Sequence, residues 1–378
     1  MNKILKLIIV LTIILINTGC DIKSDSTKEI DFCDSADIKE DTKPLFNDII
    51  IKDREDINRL KEYTSIRGSL SIQDTSIDNI IGLENIVCIN DDLFIKDNSN
   101  LLNLNGLNKL KTIGNELTIL DNDKLEDLTG LDALAEALSI IIRGNDNLRN
   151  INGLREIDVG SLIIKDNQKL LNIDALKETN KNIGWDNPEE CWENEGRSVI
   201  EISNNNILEN IDGFINIQEI HADLIIADNE SLKDINGLKN IHKVEGNLTI
   251  YGNDLLEDLQ GLSGLKIVMG TMSIGSEDPY TLGDGNESLK SLNGLNNLEE
   301  IGDSLNIDDN NSLETIDDLD KLSKIGQMCH ENIISTLYII ENDMLPKCEI
   351  DQFVERILND GYKGSVFIED NYDGGTCE

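Results

Sequence analysis

Apolar residues along this chain follow two alternating spacings. In LTILDNDKLEDLTGLDAL, Leu117 and Ile119 stand two apart, then Leu125, Leu128, Leu131 and Leu134 follow at steps of three. A step of two puts both side chains on one face of a short strand, whereas repeated steps of three fit tight turns that keep returning an apolar residue inward. The pattern recurs without a gap in LFIKDNSNLLNLNGLNKL from Leu93, LIIADNESLKDINGLKNI from Leu224 and LTIYGNDLLEDLQGLSGL from Leu248. All read L-x-I-x-x-N-x-x-L-x-x-L/I-x-G-L-x-x-L/I. Looser copies start near Leu70, Ile140, Leu162, Ile200, Met272, Leu305 and Leu337, giving about eleven coils with a period of about 22 to 24 residues. One coil cannot bury its own apolar face, so neighbours must stack. With strands about 4.8 Å apart, the stack is a rod on the order of 50 Å long.

Just after each strand stands an asparagine: Asn98, Asn122, Asn145, Asn167, Asn205, Asn229, Asn253 and Asn310. An amide both donates and accepts, so a stacked column of them is expected to satisfy turn amides that the sheet leaves unpaired. That makes the column structural rather than a binding site. Gly82, Gly106, Gly130, Gly153, Gly213, Gly237, Gly261 and Gly294 point to a turn that needs positive φ or close approach between coils. Ala175 and Asp318 take that place in two coils, so the requirement is not absolute.

The motif, with turns of the Ile113-Gly114 and Ile301-Gly302 type before the next strand, resembles the repeats of bacterial receptor L domain proteins. Those repeats are similar to the L domains of insulin and epidermal growth factor receptors. The likeness runs over about residues 69–342. It implies a right-handed β-helix related to leucine-rich repeats and a recognition role, without naming a ligand. Past the last repeat, Ile350, Phe353, Val354, Ile357 and Leu358 fall at helical spacing before Gly361, predicting a helix that caps the final coil. Ser365 to Asn371, SVFIEDN, resembles one more strand and asparagine turn. The chain then reaches Cys377, much as members of that family end in cysteine, and Cys348 with Cys377 is the disulfide expected to close the cap. Residues 31–69 should cover the other end, where an open sheet edge invites aggregation. Cys33 with Cys88 and Cys191 with Cys329 are further candidate pairs, the latter spanning about five coils.

The N-terminus reads as a processed segment. Lys3 and Lys6 precede a run over residues 7–16 that is apolar except for Thr12 and too short to span a bilayer comfortably. It ends in Asn17-Thr18-Gly19-Cys20, which resembles the lipobox cut by lipoprotein signal peptidase, although Asn17 stands where an apolar residue is usual. The expected organisation is therefore a signal peptide at 1–19, lipid attachment at Cys20, a polar tether over 20–30, a cap at 31–69, the solenoid at 70–345 and a second cap at 346–378. A plain secreted protein is the alternative. A lipid anchor would place the body in the bacterial cell envelope, outside the cytoplasm, at the outer membrane or cell surface. There the six cysteines other than Cys20 would persist as disulfides. They allow fifteen pairings.

Composition narrows the partners. A net charge of −40 repels nucleic acid and anionic head groups. The three histidines, at 221, 242 and 330, have no zinc-type spacing, no CxxC pair is present, and neither a metal nor a cofactor is expected. Aspartates that recur with the repeat, Asp97, Asp121, Asp166, Asp228 and Asp309, read as turn residues rather than a catalytic acid/base pair. Asp370-Asn-Tyr-Asp373-Gly374 and Asp284-Gly-Asn286 lack the spacing of a full calcium cage. With no G-x-S-x-G, H-E-x-x-H or phosphate loop, an enzyme is not expected, though β-helices do include polysaccharide-active enzymes. Insertions at 177–199 and 327–336 enter at one phase of the repeat and should share an edge, while 275–285 enters after a strand. They hold Trp185, Trp192 and Tyr280, aromatics suited either to anchoring a ligand or to packing their own loop. The expectation is a monomeric, lipid-anchored recognition or adhesion module for a protein or glycan, against a structural envelope lipoprotein without a specific ligand.

Overall fold

The structure, a computed structural model, describes residues 32–35, 43–179, 182–185, 198–276, 285–326 and 335–374. It is a mainly β, parallel solenoid of about eleven turns with a short C-terminal helix. Each repeat opens with a strand whose first and third residues face inward, and these strands stack into one long parallel sheet. Leu93 pairs with Leu117 and Ile95 with Ile119, then Leu224 with Leu248 and Ile226 with Ile250, so leucine stacks on leucine and isoleucine on isoleucine. All of these are fully buried. Steps of three after the strand follow from local turns: Leu101 N donates to Asn98 O, Leu107 N to Leu104 O and Leu110 N to Leu107 O, at 2.8–3.1 Å. Such i→i+3 closures eclipse every third side chain, here on the inside.

A second face carries short strands. From Asn182–Gly184 through Glu219–His221, Lys243–Val244, Ile267–Val268 and Glu300–Ile301 to Lys324–Ile325 they form their own parallel sheet. Nearer the N-terminus the two faces merge, because Glu136–Arg143 and Asp158–Lys165 run unbroken around the corner. The stack also extends by one strand beyond the repeats at each end. Ile49–Ile51 pairs with Leu70–Gln73, inside the segment expected only to cap, and Ser365–Glu369 pairs with Thr336–Ile340.

The asparagine column is a continuous ladder. Asn229 Nδ2 donates to Ile202 O in the preceding coil and to Ala227 O, both at 2.9 Å, while its Oδ1 accepts from Asn205 N at 3.1 Å and Asn205 Nδ2 at 3.3 Å. The same arrangement runs through Asn98, Asn122, Asn145, Asn167, Asn205, Asn253 and Asn310, and also through Asn286 and Asn342, which the repeat alignment had not singled out. Thr75 starts the column by donating its hydroxyl to Asn98 Oδ1 at 2.7 Å, and Asn371 ends it by accepting from Asn342. The residue before the ladder side chain is left-handed at Asp74, ahead of Thr75, and at Asp97, Asp121, Asp166, Asp228, Asp309, Glu341 and Asp370, each ahead of an asparagine, with φ of 49–59°. Aspartate and asparagine tolerate that conformation better than most residues. Glycine after the turns meets both demands: φ is 116–129° at Gly82, Gly106, Gly130, Gly153 and Gly294, and elsewhere close approach decides, since a Cβ on Gly237 would lie 2.0 Å from Ile211 O and one on Gly261 1.9 Å from Ile235 O.

Both ends are covered. Helix Arg54–Leu60, capped by Asp53, buries Ile57 and Leu60, and Ile57 rests on the Gly82 turn. Helix Lys347–Asn359 buries Ile350, Phe353 and Ile357, and Arg356 donates to Leu322 O and Leu319 O, which gives the last turn's carbonyls a partner. A disulfide joins Cys33 to Cys88 and pins the short helix Phe32–Ser35 to the strand Cys88–Ile89. Cys348 is also disulfide-bonded. Cys377, Cys191 and Cys329 lie outside the described residues, as do Cys20 and the whole of 1–31. Among the described residues no helix is long and apolar enough to cross a membrane.

Two outcomes test this account. Asn229→Ala strips a buried acceptor from Asn205 and a donor from two carbonyls, so stability should fall by about 3–5 kcal/mol, read as a lower urea midpoint. Replacing both Cys33 and Cys88 with serine opens a crosslink spanning 55 residues. The chain-entropy cost is about 4 kcal/mol, and reductant should then no longer shift the unfolding midpoint further through this bond.

Candidate functional site

The second sheet places a compact polar cluster on its outer surface. In Glu219–His221 the alternation turns Ile220 inward and leaves Glu219 and His221 outward, and Glu245 of the next coil is held beside them by its N–H on Ile220 O at 2.8 Å. His221 Nδ1 lies 2.8 Å from Glu245 Oε2 and His221 Nε2 lies 3.7 Å from Glu219 Oε2. His242 Nε2 stands 2.9 Å from Glu219 Oε1, and Lys243 Nζ donates to Glu245 Oε1 at 2.7 Å. The His221 side chain is only 6% exposed, whereas Glu219 and Glu245 are 31% and 26% exposed, so the imidazole forms the floor of a shallow carboxylate-walled site. Burial opposes ionisation of Glu245, yet contacts from His221 and Lys243 outweigh it and hold the carboxyl down to about 2.

Among the described residues this is the set of three metal-ligating side chains that converges, with one donor atom from each of Glu219, His221 and Glu245 within 4.8 Å of the others. His221 enters this set although the histidines have no zinc-type spacing along the chain. His221 and Glu245 are 24 apart in number (245 − 221), which is one coil, so stacking brings together what the linear spacing separates. That phase relation was the available signal.

The insertions expected to carry an interface are described only at their edges. Trp185 and Ser198 flank one, Gly326 and Ser335 the other, and both gaps fall between a strand of the second sheet and one of the long sheet. Trp185 is half-buried, donates Nε1 to Asp158 Oδ1 at 3.0 Å and lies against Gly160. Trp192 and Tyr280 lie outside the described residues. An open groove of about 550 Å³ near the N-terminal helix is lined by Asp53, Arg54, Asp78, Asn100 and Lys124. Its Arg54 is already engaged by Ile81 O and Asn79 O.

Aspartates of the left-handed turns form a row along one corner, one per coil in much of the stack. Burial, then Asp97 in the neighbouring coil, pushes the Asp121 carboxyl up, with Arg143 acting against them. Burial, then Asp309 and Asp370, does the same to Glu341. Asn204, Gly144 and Gly252 hold the equivalent place elsewhere without charge. Asp121→Asn keeps a residue suited to φ > 0 and removes repulsion. Because the folded pKa is raised, the carboxylate's penalty is present at neutral pH and is gone below the ordinary value of 3.8. The variant should gain no more than a few tenths of a kcal/mol after solvent screening, and the gain should vanish in acid and shrink in salt when both proteins are unfolded side by side.

Comparison with curated proteins finds no match. The receptor L domain family model matches residues 270–374, which hold the stacked strands Met272–Gly275, Leu305–Asp308, Thr336–Ile340 and Ser365–Glu369 together with the capping helix. Over that segment the chain is similar to a receptor L domain.

Proposed function

We propose that the protein is a lipid-anchored, extracytoplasmic recognition module that binds a protein or glycan on the outward face of its long sheet. One observation carries this reading. The central outward column of that face, in register from Ser71 through Phe94, Thr118, Ile141, Ile163, Glu201, Ile225, Thr249, Ser273, Asn306 and Tyr338 to Phe367, contains one charged residue in a chain that is 28% charged. Beside it stand Lys96, Arg143 and Lys165, cations gathered on an otherwise acidic body. Lys96 lies 4.3 Å over the Phe94 ring, and Tyr338 stacks on Phe367 with centroids 4.8 Å apart. Half-buried apolar and aromatic side chains on rigid strands lose little entropy when covered, which suits them to serve as anchors. The receptor L domain likeness supports the same reading, and the lipobox-like Cys20 would set where the face is displayed.

The test is a glycan-array screen and a pull-down with the purified protein, repeated with Phe94→Asp/Ile163→Asp and with residues 186–197 removed. Binding should fall at least tenfold in the double variant while the urea midpoint holds. Binding that survives the double variant but is lost with the loop would overturn the choice of face, and absence of any ligand in both screens would favour the structural envelope reading. Palmitate labelling that disappears in Cys20→Ala is the expected sign of the anchor.

A further inference from the structure

We propose that Glu219, His221 and Glu245 form a binding site for a divalent first-row transition ion such as Zn²⁺, with His242 poised at its edge. The donor set is the first argument. One imidazole and two carboxylates suit zinc or its neighbours, whose ligands stand about 2.0–2.2 Å from the metal. Donor atoms already within 4.8 Å of one another need a contraction of up to about 1.4 Å to reach the roughly 3.4 Å separations of a tetrahedral shell around such an ion, while the 2.8 Å between His221 Nδ1 and Glu245 Oε2 would open. Placement is the second. Glu219 and His221 lie on one strand, and Glu245 directly follows its in-register neighbour, with Glu219 opposite Lys243 and Ile220 opposite Val244, and is fixed by its own N–H on Ile220 O, so backbone hydrogen bonds set all three donors. Sites built on regular elements keep their geometry better than loop sites.

Charge is the third argument. Two carboxylates flank a buried ring in a chain of net charge −40, and a bound dication neutralises them. Lys243 does not block the site. It holds Glu245 through Oε1, while Oε2 is the oxygen turned to His221. His242 is bonded to Glu219 Oε1 at 2.9 Å and keeps that carboxylate oriented, the part that outer partners play around metal ligands. With three protein ligands the remaining position falls to water. The partly exposed Glu219 and Glu245 supply the route for entry.

The experiment titrates Zn²⁺ by calorimetry into the purified protein, disulfides intact and chelator removed, and records the visible spectrum with Co²⁺ in its place. One ion per chain at micromolar or tighter affinity is expected, with a Co²⁺ spectrum of four-coordinate type and a raised thermal midpoint. Excess Ca²⁺ should not displace it, because Ca²⁺ takes about six to eight oxygen ligands whereas this site offers an imidazole nitrogen with two carboxylates. Affinity should drop at least tenfold in H221A and in E245Q. Should H221A fail to fold, E219Q and E245Q alter partly exposed side chains and carry the same comparison. Zinc binding unchanged in these variants, binding displaced by Ca²⁺, or binding no tighter than millimolar would overturn the proposal.

Discussion

A buried amide has to find donors and acceptors in the coil before it and the coil after it, and most of this molecule follows from that demand. Each asparagine of the ladder satisfies carbonyls and amides at a corner where the sheet cannot reach, and it does so only if successive coils keep one pitch and one phase. Once phase is held, every other position in the repeat stacks on its counterpart. Leucine then lies on leucine, glycine meets the carbonyl of the coil beneath, and the left-handed residue ahead of each asparagine becomes a row. The core is therefore made of columns rather than of a few large contacts, and no long-range tertiary choice is left open between neighbouring coils.

Much of this was legible in the chain because a repeat prints the same physical requirement many times. The inward pair Leu117 and Ile119, the steps of three, the amide column and the capping helix around Ile350, Phe353 and Ile357 all carry local signals. What escaped notice did so for identifiable reasons. Asn286 belongs to the ladder, but the insertion at 275–285 displaces it from the regular alignment, whereas Asn342 stands in regular register five residues after Leu337 and was legible there. Ile49–Ile51 looked like part of a cap because no full motif surrounds it, yet it needs only an exposed strand below it to pair. The cluster of Glu219, His221 and Glu245 was hidden most thoroughly: metal motifs are sought at short spacings, whereas in a solenoid the nearest neighbour in space is one period away. Any search for chemistry in such a chain has to be made at the period, not along the line.

The columns also sort charge. At the corner they align aspartates whose mutual repulsion the fold tolerates, since the left-handed turn limits which residues can stand there. On the long sheet they align uncharged and aromatic side chains beside three cations, leaving a face unlike the rest of the surface. On the second sheet they set an imidazole between two carboxylates. Three surfaces of different chemistry thus arise from one repeating backbone by changes at outward positions alone, which leave the ladder and the core untouched.

The Thr75 hydroxyl at the start of the ladder gives the stack a direction. Every amide oxygen in the column accepts from the coil nearer the N-terminus, and Thr75 supplies a donor there without asking for a further coil. Between that start and Asn371, each unit presents the same donors on one side and the same acceptors on the other. A duplicated unit of one whole period would therefore slot between any two others with its bonds complete, whereas a gain or loss of part of a period would break the column at that point. Chains of this design are free to lengthen or shorten in steps of one coil, and the length of the body becomes a quantity that inheritance can adjust by about 4.8 Å at a time.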